Sequence, residues 1–268
     1  MRLGTLLHRR IVIMQESRFG AKSPMRLDAK VTQHWEKRMP EQRAVQITVA
    51  SPKGGVGKTM TTILLAGEFA AAGHRVTVLD TDPQLSALEW SKNSRRAGYA
   101  LSNIDVIPIS STDDLIDRLA QSDAEDLLLV DVQGTAVAAL GPAVANADFV
   151  LIPTKAHVFD VKQCLGLIRH IRSLGGRHRE IPHAVMLNMV SGIEHNTMAF
   201  RTAIQLLRQA NASVLETFLS QRPTFASIAT AGTLYEVQPV NKAVQDARDQ
   251  TNALTAEIIR KLNGATPQ

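Results

Sequence analysis

The sequence predicts an α/β protein: a mostly parallel, twisted sheet with helices on both faces. Three observations point there. From Val45 onward, short apolar runs alternate with stretches of helical apolar spacing. Runs such as DLLLV at residues 126–130 are apolar without alternation, which suits strands covered on both sides. The first run, VQITVA, passes through a glycine-rich turn straight into a helical pattern.

The strands expected are Gln46–Ala50, Arg75–Asp80, Ile104–Pro108, Asp126–Asp131, Phe149–Pro153, His183–Met189 and Ser213–Leu219. Between them, helical spacing is clearest over Thr59–Ala72, Ser86–Ser94, Thr112–Gln121, Val161–Leu174, Asn196–Gln209 and Val240–Leu262. Right-handed crossovers then bring the carboxyl ends of the strands to one edge, where ligands bind. Residues 45–268 form this domain. Residues 1–44 read as a separate arm with one helix candidate, Met25–Arg38, which carries Trp35 but too little apolar face to fold alone. Pro40 ends that candidate.

Charge sets the arm apart. It holds ten Lys/Arg against four Asp/Glu, whereas the other 224 residues hold 20 against 21. A basic arm suits a polyanion partner; a solvated tail or an over-long start, with Met14, Met25 and Met39 offering later ones, fits equally. The single cysteine, Cys164, excludes a disulfide framework and any four-cysteine metal site within one chain. The apolar runs are too short to span a bilayer, and Arg9 and Arg10 interrupt the amino-terminal one, against a secretory signal. The expected setting is cytoplasmic.

The stretch SPKGGVGKTM carries the chemistry. Gly54, Gly55 and Gly57 let phosphates approach the backbone, and the N–H groups of the turn and helix start, Val56 and Met60 included, face the anion. Lys58 can reach the terminal phosphates, and the Thr59 hydroxyl can ligate Mg²⁺. A second lysine, Lys53, opens the loop where the strict pattern GxxxxGK[ST] is broken by Pro52. Taken alone, Lys53 is compatible with a solvated lysine at a loop entrance.

Carboxylates should accompany such a loop. In VLDTDPQLSALEW, Asp80 and Asp82 fall on one face at a strand's carboxyl end, although a turn-initiating Asp-Pro pair would look the same. Asp131 follows four aliphatic residues in LLLVD; buried there, it needs a cation or donors, and Mg²⁺ held through water would serve. Gly134 would let the backbone approach the terminal phosphate.

PKGGVGKT resembles the deviant Walker A motif of the ParA/MinD family of ATPases, with DTDPQ most similar to the small plasmid-borne ParA branch. The resemblance implies a P-loop NTPase fold of SIMIBI type and an ATP-dependent homodimer in which Lys53 touches the partner's nucleotide. It makes Asp82 the water-positioning residue and Asp80 a structural or Mg²⁺-shell residue. VLIPTKAHVFD, with Pro153 and Asp160, matches the loop after the fifth strand, and VMLNMV places Asn188 where relatives read the adenine edge. SQRPTFASIATAG, with Arg222, resembles the segment that closes over the base and borders the DNA face. The proline pair common after the Walker B aspartate is replaced by Val132 and Gln133.

Absences separate the branches. A lone cysteine does not suit iron–sulfur relatives, the EIIRKLNGATPQ end does not suit a MinD-type membrane helix, and only Tyr99 and Tyr235 are present for a tyrosine kinase cluster. The expected function is plasmid or chromosome partition: a Mg²⁺-dependent, nucleoid-associated ATPase that binds non-specific DNA as an ATP dimer and is stimulated by a ParB-like centromere-binding protein. Candidate DNA contacts are Arg169, Arg172, Arg177, Arg179, Arg201 and Arg208, while cations at a helix end also answer the helix dipole. Two alternatives stay open: a conjugation, transfer-strand or cargo-positioning ATPase of the same fold, and an ATP-responsive DNA-binding or repressor module without significant turnover.

Overall fold

In a computed structural model, the described residues are 44–121, 126–132, 137–175, 180–194 and 197–264. Nearly all of the basic arm, Gly134, Arg177 and Arg179 lie outside them. Six parallel strands form one sheet: β1 Val45–Ala50, β2 Arg75–Asp80, β3 Ile104–Pro108, β4 Asp126–Val132, β5 Phe149–Thr154 and β6 His183–Leu187. Their order is β3-β2-β4-β1-β5-β6. The described helices are α1 Lys58–Ala71, α2 Ser86–Arg96, α3 Thr112–Ala120, α4 Val137–Ala145, α5 Val158–Gly175, α6 Met198–Gln209, α7 Pro223–Thr230 and α8 Lys242–Leu262.

Strand alternation divides the core in two. Ile47 and Val49 of β1, with Leu127 and Leu129 of β4, face Leu65 and Phe69 of α1, Trp90 of α2, Ile228 of α7 and Leu254 of α8. Val130 and Val132 face the other side, against Leu115 of α3, Val144 of α4, Ile168 of α5 and Leu207 of α6. Both faces are therefore covered, as the unalternating runs require. Two polar residues on central β1 have a specific reason to be there. Gln46 Nε2 and Thr48 Oγ1 both donate to the carbonyl of Ala143, at 2.6 and 2.7 Å. That carbonyl lies in the last turn of α4, where the helix supplies no donor of its own.

Two expectations need correction, and two helices come in addition. Ser213–Leu219 is not a ladder strand: it meets β6 through one isolated bridge, Val185 with Val214, and through the Leu219 N–H donated to the Leu187 carbonyl at 3.0 Å, and a second bridge, Val190 with Ser220, lies beyond both segments. The reason is Glu257 of α8, whose carboxylate accepts the N–H groups of Glu216 and Thr217 at 2.8 and 2.9 Å and so takes them out of the sheet. Helix α4, with Pro142 inside it, and the short α7, with Pro223 at its start, had no predicted counterpart. Strand β6 stops at Leu187, before Asn188 and the left-handed Met189 (φ 56°).

The order places β1 between β4 and β5, with the chain's crossovers diverging around it. The turn after β1 thus opens at the switch point of the sheet, flanked by the carboxyl ends of both neighbours.

Candidate nucleotide site

The phosphate loop connects β1 to α1. Gly57 adopts φ 84° as the helix N-cap and Gly55 adopts φ 69°, in the left-handed region that disfavours side chains. A Cβ at Gly54 or Gly55 would meet no atom within 4 Å, so both face open space along the loop. A Cβ at Gly57 would lie 2.4 Å from Asn188 Nδ2. Val56 is buried and Met60 packs on the core, so both offer the site only backbone N–H groups. Lys58 Nζ donates to the carbonyl of Lys53 at 2.9 Å, curling the lysine over the loop. Burial lowers the pKa of Lys58, while the nearby Asp131 and Asp82 carboxylates work to raise it.

Asp80 and Asp131 are register partners at the ends of β2 and β4. Asp131 is 1% exposed, and its Oδ2 accepts no hydrogen bond from the protein. Burial is the largest influence on its carboxyl and pushes the pKa up to about 7; the Thr59 hydroxyl, within hydrogen-bonding reach, and the Lys58 cation oppose that shift. An orphaned buried carboxylate oxygen beside the first hydroxyl of α1 is what a Mg²⁺ shell would satisfy. Among the described residues, no three His, Cys, Asp or Glu side chains cluster closely enough to hold an ion themselves. Thr59 and Asp131 therefore fit an ion that takes most of its ligands from phosphates and water.

Asp80 has a different task. Its Oδ2 accepts the N–H groups of Ala87 and Leu88 in the first turn of α2, at 2.9 and 3.1 Å, and its Oδ1 accepts that of Asp82 at 3.1 Å. Both oxygens serve the backbone, which is the structural one of the two roles expected of Asp80. Asp82 itself is half-buried and closes a tight turn, accepting the N–H of Gln84 at 2.9 Å.

Asn188 lies at the rim of the loop. Its Nδ2 donates to the Val56 carbonyl at 2.8 Å, and its Oδ1 accepts the Met189 N–H. The residue expected at the base edge thus also braces the phosphate loop. Arg222 is turned toward α8: Nε donates to Gln250 Oε1 at 3.1 Å, and Nη1 lies 3.9 Å from Asp246. Its neighbour Gln221 donates its N–H to the Val190 carbonyl, which brings this segment beside the end of β6. Lys53, the loop's extra lysine, forms an ion pair with Asp160 in the first turn of α5. The sequence located Asp160 but carried no signal for this partnership, which spans 107 positions.

Of the candidate DNA contacts, Arg169 and Arg172 are exposed on α5 and Arg201 and Arg208 are exposed on α6, two helices packed together. Arg172 Nη2 also donates at 2.9 Å to the carbonyl of Asn211, just past the end of α6. Its cation therefore serves that helix end in the way the helix dipole favours. Lys162 and His170 are also exposed on α5.

Fold, phosphate loop and paired carboxylates together define a parallel-sheet P-loop nucleotide-binding protein. The profile of the CobQ/CobB/MinD/ParA nucleotide-binding domain matches residues 47–234, well over half of the chain. The chain belongs to this family of P-loop ATPases. It is 28% identical over 226 residues to protein ParA of Rhizobium radiobacter, covering 82% of this chain and 98% of that protein. It is also 28% identical to protein virC1 of Rhizobium rhizogenes, over 70% of this chain and 82% of the relative. The solved ATP complex of a Cyanothece McdA variant superimposes with a TM-score of 0.60 at 16% identity, covering 85% of this chain and 99% of that one, and shares the fold.

Proposed function

We propose that this protein is a ParA-like, Mg²⁺-dependent ATPase that dimerises with ATP, binds non-specific DNA as the dimer and drives plasmid or chromosome partition. The observation that carries this reading is the loop itself. A second lysine, Lys53, opens it with a 44% exposed side chain, beside a Lys58 already turned onto the loop. Lys58 and Lys53 contact phosphates, the first within its own chain and the second across the dimer. Thr59 and Asp131 hold the metal, Asp131 through water. Bound Mg²⁺ supplies charge neutralisation on the terminal phosphates. Asp82 orients the attacking water, and Asp80 fixes the turn that carries Asp82. Asn188 and the Arg222 segment border the base. Binding that requires the triphosphate makes association a switch that hydrolysis reverses.

The exposed arginines of α5 and α6 suit phosphate contacts, which position a protein on DNA without reading its sequence. A ParB-like centromere-binding protein is the stimulating partner. The reading predicts that Lys53→Ala abolishes ATP-dependent dimerisation in sedimentation velocity and lowers turnover; an unimpaired dimer with unchanged turnover would refute it. A second reading keeps the same ATP chemistry with a different partner: an accessory ATPase of transfer-strand processing. Partner capture under ATP separates them: a centromere-binding protein supports partition, and a DNA-nicking or secretion protein supports transfer.

A further inference from the structure

Lys53 is held at both ends. Its backbone carbonyl accepts the Lys58 amine, and its own amine is paired with Asp160 of the same chain. The two partners differ sharply in environment: the Lys53 side chain is 44% exposed, whereas that of Asp160 is 2% exposed. The carboxylate is therefore the fixed half of the pair and the lysine the movable half. A lysine engaged in this way cannot extend freely to a second molecule. Releasing it leaves a buried carboxylate without its cation, which is costly. The cost is moderated by position, because Asp160 lies in the first turn of α5, where the helix dipole favours negative charge. Exchange of the lysine is thus opposed but reversible.

We propose that Asp160 is a positioning residue that retains Lys53 in its own chain and sets the threshold a partner's nucleotide must overcome to capture it. This rests on the dimerising reading above and deepens it by naming what the nucleotide competes against. A triphosphate presents more negative charge to an incoming lysine than a diphosphate. Competition with Asp160 therefore makes pairing of two chains selective for ATP over ADP. Asp160 touches neither the nucleotide nor the water; it acts through Lys53.

Two measurements test this. In the nucleotide-free protein, the Lys53 amine should react several-fold faster with an amine-acylating reagent in Asp160→Asn than in the parent, read by peptide mass spectrometry. Asp160→Glu, which keeps the charge, should leave Lys53 protected. An unchanged Lys53 rate in Asp160→Asn would overturn the proposal. In a hydrolysis-blocked Asp82→Ala background, adding Asp160→Asn should lower the ATP concentration for half-maximal dimer by about tenfold and allow dimer formation with ADP. A substitution that only weakened the fold would raise that concentration. An unchanged or raised midpoint therefore contradicts the proposal, provided the parent dimerises. If Asp82→Ala with native Asp160 forms no dimer at any ATP concentration, the dimerising reading itself falls, and the labelling experiment still decides whether Asp160 holds Lys53.

Discussion

Asp80 and Asp131 are the same residue type, opposite each other on adjacent strands, yet their surroundings give them different work. Asp80 has three backbone N–H donors and Asp131 has an oxygen with none. Asp80→Ala would strand those donors and free the turn holding Asp82. The expected cost is roughly 2–4 kcal/mol in urea unfolding, with turnover falling more than ATP affinity. For Asp131 the sign follows from a native pKa pushed up from 3.8 to about 7. Its protonated form is favoured by folding, so its contribution to stability is present below the unfolded pKa and is lost as pH rises through about 7. Asp131→Asn should therefore melt higher than the nucleotide-free parent at pH 8 by an increment on the order of a few kcal/mol, converge with it near pH 4, and gain little from Mg²⁺–ATP. Thermal unfolding across this range checks the prediction; a gap independent of pH would refute it. The sequence located both carboxylates but could not divide their roles, because the donors that bind Asp80 come from helix N–H groups whose direction appears only once α2 is folded.

At the scale of elements, the legible parts were those whose cause is local. Strand β1, the glycine turn and α1 follow from a contiguous apolar run, residues tolerant of positive φ and a helical pattern. Gly57 shows the limit of that logic: its φ of 84° explains glycine, but so does Asn188, packed against it from just past the end of β6. Gly57→Ala should abolish ATP binding in calorimetry and lower the melting temperature, and replacing Asn188 by Ala in the same chain should recover only part of the loss. The expected strand Ser213–Leu219 was misread for the opposite reason. Its apolar pattern is genuine, but Glu257 arrives from 40 or 41 residues further along and takes the ladder's N–H groups. Glu257→Gln puts an amide donor where an acceptor is needed and should cost about 1–3 kcal/mol in urea unfolding. Helix α4 escaped notice because Pro142 interrupts its pattern and its polar contacts lie on β1, far away in sequence.

At the scale of the whole molecule, the sheet order places the nucleotide loop at the switch point, with Lys53 tied across to α5. Helix α5 also carries Arg169 and Arg172 and packs on α6, which carries Arg201 and Arg208. One helix thus starts at the carboxylate paired with Lys53 and bears exposed arginines along its length. Arg201→Ala with Arg208→Ala should weaken binding of any duplex sequence alike and reduce the salt dependence by about one unit of slope per lost phosphate contact. Unchanged affinity and slope would remove this face from the account. ATP-gated DNA binding is tested by fluorescence anisotropy of a random-sequence duplex titrated with Asp82→Ala protein at one fixed salt concentration. It compares ATP–Mg²⁺, ADP–Mg²⁺ and no nucleotide. Tight binding with ATP–Mg²⁺ alone is expected; equal binding in all three states, or none in any, would contradict an ATP-gated DNA-binding dimer.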